Sequence, residues 1–199
     1  MMSSANLLHR RAVIGELLRD RGDLLCVASL GAPNWDITSV GDHPNNFPLW
    51  GAMAASVMMG LGLAIAQPKR RVLVFAGDGE MLMSLGALAT IGAQQPDNLA
   101  VVVLDNERYG ETGMQKTHTA HGVDLTAVAK GCGIGTALTV RSEADVAGLR
   151  REVYEGRGPV FATVKIDPEA LPFVLPPSDG VILTARFRRS VLGDEALYN

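Results

Sequence analysis

Two short patterns in this sequence could hold a cation and an anion together. The apolar run Arg71-Val72-Leu73-Val74-Phe75-Ala76 ends in Gly77-Asp78-Gly79, and a helical pattern opens at Glu80. Glycines at such a turn let the backbone approach a phosphate, a new helix offers unpaired N–H groups, and Asp78 supplies a hard oxygen ligand. Taken alone, Gly-Asp-Gly is equally a turn whose Asp caps a helix. The second pattern, Asp105-Asn106-Glu107-Arg108-Tyr109-Gly110, ends the apolar run Leu99 to Leu104. The 26 residues from Glu80 to Asp105 make one βαβ step, which sets the two loops side by side at one sheet edge. Asp78 and the amide oxygen of Asn106 could then share one metal ion, with a backbone carbonyl of the same loop as a third protein ligand.

The elements that must position these loops are legible from the apolar pattern. Leu24 to Leu30, Val72 to Ala76, Leu99 to Leu104, Ala137 to Val140 and Val160 to Ile166 read as strands buried on both faces. Helical segments are predicted over Asn6 to Asp20, Gly51 to Ala66, Glu80 to Gln94, Leu125 to Lys130 and Glu143 to Glu155, with Ser142 as an N-cap answered by Asp145. This alternation predicts an α/β fold, a doubly wound and mainly parallel sheet with helices on both faces, whose sites gather beyond the carboxyl ends of the strands. Residues 1–167 are expected to form that domain. Residues 168–199, opening with Pro168, Pro172, Pro176 and Pro177, are expected to be an extension that packs on the domain or on a partner, with a last helix from Val181 to Leu192.

Composition narrows the function. The 199 residues are 47% hydrophobic and 20% charged, which excludes a disordered tail or a disulfide scaffold. A net charge of −3 gives no general reason to bind nucleic acid or an anionic membrane, so any bound anion must be held locally. Cys26 and Cys132 are too few for an iron–sulfur cluster and lack zinc-site spacing, which fits a reducing, cytoplasmic setting. No export signal is read at the N-terminus, and the glycines of Leu49 to Ala66 point to a helix pressed against a sheet, not to a membrane span. There is no P-loop, and neither Gly77-Asp78-Gly79 nor Gly60-Leu61-Gly62 has the third glycine of a dinucleotide fingerprint.

Together the two loops resemble the Gly-Asp-Gly … Asn signature of thiamine diphosphate-dependent enzymes, in the half that binds the diphosphate. The likeness extends to Gly51-Ala52-Met53-Ala54, where that family places a bulky apolar residue under the cofactor to force its bent form. The resemblance implies thiamine diphosphate and Mg²⁺ as cofactors. It makes Asp78 and Asn106 side-chain ligands of Mg²⁺ and Arg108 a ligand through its carbonyl. Gly79 and Glu80 would touch the diphosphate through their N–H groups, flanked by Gly77, Tyr109 and Gly110. The Gly51 carbonyl and the Met53 N–H would hold the aminopyrimidine ring. Glu80 stands where relatives often have Ser or Ala, and Asp105-Asn106 where many have Asn-Asn.

A finer likeness runs from Leu104-Asp105-Asn106 through Tyr109-Gly110-Glu111-Thr112-Gly113-Met114-Gln115-Lys116-Thr117-His118-Thr119 to the small decarboxylase group that acts on sulfopyruvate and phosphonopyruvate. It implies a lyase releasing CO₂ from a small 2-oxo acid. No second thiamine half is read in this length, so the ring-ionising glutamate is expected from a separate alpha chain in a hetero-oligomer. Met53, His118 and His121 are the candidate catalytic residues, the histidines either orienting substrate or moving a proton, or else lying in a solvated loop. His43, Thr112, Gln115, Lys116 and Thr117, and one of Arg186, Arg188 and Arg189, are further candidates to reach the site. A carboligase or 2-oxo acid oxidoreductase subunit, and a regulatory protein that binds Mg²⁺ and a diphosphate without turnover, remain alternatives.

Overall fold

The structure, a computed structural model, describes residues 7–198. Helix α1 (Arg10–Leu18) leads to strand β1 (Leu25–Ala28), α2 (Ala32–Ser39), β2 (Asn46–Pro48), α3 (Ser56–Ala66) and β3 (Val72–Gly77). There follow α4 (Asp78–Met83), α5 (Leu85–Gln94), β4 (Leu99–Asp105), a hairpin of β5 (Arg108–Tyr109) and β6 (Gln115–Lys116), α6 (Leu125–Gly131) and β7 (Thr136–Val140). Next come α7 (Glu143–Glu155), β8 (Val160–Lys165) and α8 (Gly180–Leu192). Six strands form one parallel sheet in the order β2-β1-β3-β4-β8-β7. This is the doubly wound sheet that the apolar runs demand.

Alternation along the strands splits the core in two. Leu25, Val27, Val74, Val101 and Val103 pack with α3, α5 and α6, while Cys26, Leu73, Phe75, Val102 and Val164 pack with α1 and α7. Each fully buried Val, Leu or Phe contributes on the order of 1.5–3 kcal/mol, so the layers fix the sheet before any polar contact is counted. Ser142 and Asp145 form the anticipated capping box on α7.

Four local differences from the sequence reading concern the site. The helix expected from Gly51 begins only at Ser56, leaving residues 50–55 as a loop in which Ala52 and Ala54 have φ of +57° and +70°. The helix expected over Glu80 to Gln94 breaks at Ser84, where a Ser and Gly86 lie close together, a frequent cause of a kink. The chain between β1 and β2 holds α2, which the sequence hides behind Pro33, Asn34, Asp36 and Thr38. The β5–β6 hairpin is also unforeseen. The expected start of the first helix at Asn6 lies outside the described residues.

The C-terminal segment crosses the domain that precedes it. The Glu169 and Pro172 carbonyls accept from Arg10 and Arg11, Phe173 packs edge-on to Trp35, and Trp50 donates to the Pro177 carbonyl. α8 then lays Phe187 against Phe47 of β2.

Of the α3 glycines, one explains the close approach to the sheet. A Cβ at Gly60 would lie 2.2 Å from Val74 Cγ2, whereas at Gly62 it would meet nothing within 4 Å. Gly60→Ala is expected to destabilise by about 1–3 kcal/mol through overpacking. Gly62→Ala is expected to be neutral or to stabilise by up to about 1 kcal/mol from helix propensity. Denaturant unfolding of the two variants checks the contrast; equal effects would contradict this packing.

Candidate functional site

The register of the sheet brings the two loops together. Gly77 at the end of β3 pairs with Leu104 near the end of β4, so Asp78 and Asn106 leave the same edge on adjacent strands. They line a cavity of about 130 Å³, which Gly77, Gly79, Glu80, Arg108, Tyr109, Gly110 and Met53 also line. Gly79 has to be glycine here, because a Cβ would lie 2.7 Å from the Tyr109 ring. Asn106 Oδ1 accepts from the Arg108 N–H at 2.9 Å, which fixes which end of the amide is oxygen.

Behind Asp78 runs a buried chain of hydrogen bonds. The Thr117 and Thr119 hydroxyls lie 2.6 Å and 3.3 Å from Asp78 Oδ2, and Thr119 donates to Asp105 Oδ1 at 2.8 Å. Asp105 Oδ2 meets Lys165 Nζ at 2.7 Å, and the same ammonium reaches Glu107 at 2.9 Å. Burial lowers the Lys165 pKa, but Asp105 and Glu107 outweigh it and the net shift is upward. Glu107 holds a left-handed φ of +61°, and its carbonyl accepts from the Thr117 N–H, so this turn folds the hairpin back under Asp78. Burial, only partly countered by the Thr117 hydrogen bond and reinforced by nearby Asp105, pushes the Asp78 carboxyl up to about 6.

Glu80 turns toward the loop that carries Met53. Its Oε1 accepts from the Ser56 hydroxyl at 2.6 Å, and desolvation, only partly offset by hydrogen bonds from Ser29 and Ser56, raises its pKa. The carboxylate therefore ties the start of α4 to the start of α3. Met53, held between two left-handed alanines, is 44% exposed, and its exposure leaves an apolar wall open at the cavity.

Of the other candidates, Thr112 lines the cavity and the rest lie elsewhere. His118 and His121 sit exposed on a short 3₁₀ turn and do not line the cavity, although Tyr109 Oη is 3.4 Å from His118 Nδ1. Gly51 is likewise exposed and outside the lining. The Thr117 hydroxyl is committed to Asp78, so it is not free for a substrate, and Thr112 and Gln115 bond to each other. Arg186 forms a forked pair with Asp42 and does not reach over the cavity. His43 accepts from the Asn45 N–H, and desolvation followed by Arg21 lowers its pKa.

The sequence reading missed several residues that complete the site. Gly31, with φ of +89°, and Arg10 of α1 line the cavity, and Thr119 and Lys165 anchor its floor. The loop after β1 was an indicated place to search; Arg10 carried no local signal.

Asp78 and Asn106 offer a carboxylate and an amide oxygen, a hard set that suits Mg²⁺. Among the described residues no cluster of three His, Cys, Asp or Glu could hold a metal, so a cation here would share its shell with carbonyls and a ligand. Among the same residues no helix is long and apolar enough to cross a membrane.

Comparison with known proteins places this geometry. Residues 34–164 match the family described as thiamine pyrophosphate enzyme, C-terminal TPP binding domain, and the chain belongs to that family. It is 34% identical over 182 residues to sulfopyruvate decarboxylase subunit beta of Methanocaldococcus jannaschii, spanning 90% of this chain and 95% of that one. It is 36% identical to phosphonopyruvate decarboxylase of Streptomyces viridochromogenes over 80% of this chain, but over only 39% of that longer protein. Benzoylformate decarboxylase of Polynucleobacter necessarius has the same fold, with a TM-score of 0.68 at 21% identity over 83% of this chain and 34% of that one.

The raised Asp78 pKa has a sign that can be measured. Because the folded value lies above the ordinary 3.8, this carboxyl favours the folded state most below about pH 4, and that advantage is lost as the pH rises through about 6. In the chain freed of divalent cations at pH 7, Asp78→Asn is expected to raise stability by about 1–2 kcal/mol, with little effect at pH 4. Thermal melts at the two pH values check this; a variant less stable than wild type at pH 7 would contradict it.

Proposed function

We propose that this chain is the cofactor-binding beta subunit of a heteromeric thiamine diphosphate- and Mg²⁺-dependent 2-oxo acid decarboxylase acting on a sulfopyruvate- or phosphonopyruvate-like substrate. The observation that carries it is the meeting of Asp78 and Asn106 at one cavity that Met53 also lines. The near full-length likeness to a protein named as a beta subunit supports a split enzyme, and so does the fact that the chain spans under half of phosphonopyruvate decarboxylase.

On this reading Asp78, Asn106 and the Arg108 carbonyl hold Mg²⁺, and the N–H groups of Gly79 and Glu80, with Gly77, Tyr109 and Gly110, receive the diphosphate. Bound thiamine diphosphate supplies the nucleophilic carbon and the electron sink for loss of CO₂. Met53 supports the bent cofactor, and Gly51 and the Met53 N–H take the aminopyrimidine. The Thr117 hydroxyl holds one Asp78 oxygen, and Thr119, bonded to Asp105, lies beside it, so the carboxylate meets the metal already oriented. The alpha chain supplies the glutamate that ionises the cofactor. The cofactor domain runs to residue 167, and an extension from Pro168 packs on that domain or on the partner. His118 enters only through Tyr109.

Mixing the chain with its alpha subunit, Mg²⁺ and a panel of 2-oxo acids is expected to release CO₂, most rapidly from those bearing a sulfonate or phosphonate. Asp78→Ala is expected to cost at least about 100-fold in that complex. Equal turnover by the chain alone, or full activity of Asp78→Ala, would contradict the proposal. CO₂ release with the remaining carbonyl carbon ligated to an acceptor, in place of a free aldehyde, would favour a carboligase, and dye reduction dependent on coenzyme A an oxidoreductase.

A further inference from the structure

Two arginines open α1 at the end of a helix where cations are disfavoured. Arg10 and Arg11 occupy its first turn, where no acidic residue stands and the helix dipole is positive. Both turn to Asp36 of α2, which is wholly buried: Arg10 Nε lies 2.6 Å from Oδ2 and Arg11 Nε 2.8 Å from Oδ1. Two guanidiniums thus share one carboxylate; the Arg11 side chain is 24% exposed and meets water, whereas that of Arg10 is only 8% exposed, so the excess positive charge that lacks solvent falls on Arg10. An uncompensated buried charge is costly, so its retention calls for an anion.

The geometry shows where that anion belongs. Arg10 is only 6% exposed and lines the same cavity as Asp78 and Asn106, whereas Arg11 does not line it. Its Nη1 donates to the Glu169 carbonyl at 2.8 Å, so Nε and Nη1 are both spent on fixing the fork, and Nη2 is left over among the described residues. The segment just before α1 bridges Ile166, and the Ile166 N–H donates to the Asp105 carbonyl. Arg10 is therefore anchored at the Asp105–Asn106 end of the cavity. Gly31, whose φ of +89° opens α2, lines the same wall.

We propose that Arg10 is the fixed cation that grips the terminal phosphate of the cofactor's diphosphate, an inference that rests on the thiamine diphosphate reading. That phosphate carries close to two negative charges at neutral pH, more than Mg²⁺ facing the Asp78 carboxylate neutralises, and an oriented guanidinium meets it with charge-assisted hydrogen bonds. Arg11 completes the scaffold: it balances Asp36 so that Arg10 keeps its charge for the ligand.

The test uses the chain in complex with its alpha subunit at saturating Mg²⁺, with calorimetric titration of thiamine diphosphate and thiamine monophosphate. Arg10→Gln is expected to weaken thiamine diphosphate binding about 10- to 100-fold and to shrink the preference over the monophosphate. Arg11→Gln, which loosens the same Asp36 without touching the cavity, is expected to lower the melting temperature yet bind within about threefold of wild type. If Arg10→Gln does not fold, Arg10→Lys carries the test, with a several-fold loss expected because the fork is gone. Arg10 variants that bind like wild type, or an Arg11→Gln loss as large as that of Arg10→Gln, would overturn the role of Arg10 alone. A wild-type complex that binds neither compound would overturn the cofactor reading itself, and this inference with it.

Discussion

A buried carboxylate is useful to a metal only if something else holds it still, and the Asp78 carboxylate is held by the Thr117 hydroxyl of a distant segment, with the Thr119 hydroxyl beside it tied to Asp105. Those hydroxyls reach it because the hairpin after β4 folds back under α4, and the hairpin stays there because Asp105, Glu107 and Lys165 lock its base to β8. Hydrogen bonds to charged groups are worth about 1.5–3 kcal/mol each, and such networks are strong only when every member is satisfied. Exchanging Asp105 for an amide would leave Lys165 with Glu107 as its one carboxylate partner among the described residues.

The parallel sheet supplies the stiffness. Adjacent strands in register deliver Gly77 and Leu104 to one edge, and the two apolar layers leave little freedom to shift them. Left-handed backbone at non-glycine residues falls outside the sheet strands, at Asp20, Ala52, Ala54, Gln95, Glu107 and Met114, and Ala52, Ala54 and Glu107 of these lie in the loops beside the site. Glu80 ties the start of α4 to the start of α3 by accepting from the Ser56 hydroxyl, which joins the Asp78 loop to the one that carries Met53.

What was legible in the sequence was what depends on neighbours along the chain. Apolar runs and one βαβ spacing sufficed to pair Asp78 with Asn106, and Ser142 with Asp145 announced the α7 cap. What depends on long-range partners was hidden. α2 exists because Asp36 meets Arg10 and Arg11 and because Trp35 packs on Phe173, none of which its poor helix formers advertise. Thr117 reads as a polar loop residue until the fold places it against Asp78. His118 and His121 have the right chemistry and spacing for a site, but the 3₁₀ turn leaves them outside the cavity.

The central claim is that Asp78 and Asn106 are set by this network to share one Mg²⁺ with the diphosphate. The most direct measurement is a crystal structure of the chain with its partner subunit, Mg²⁺ and thiamine diphosphate. The account requires Asp78 and Asn106 side-chain oxygens about 2.0–2.1 Å from the ion, with Thr117 still bonded to the other Asp78 oxygen. A metal bound away from Asp78, or an Asp78 side chain that has to leave Thr117 to reach it, would contradict it.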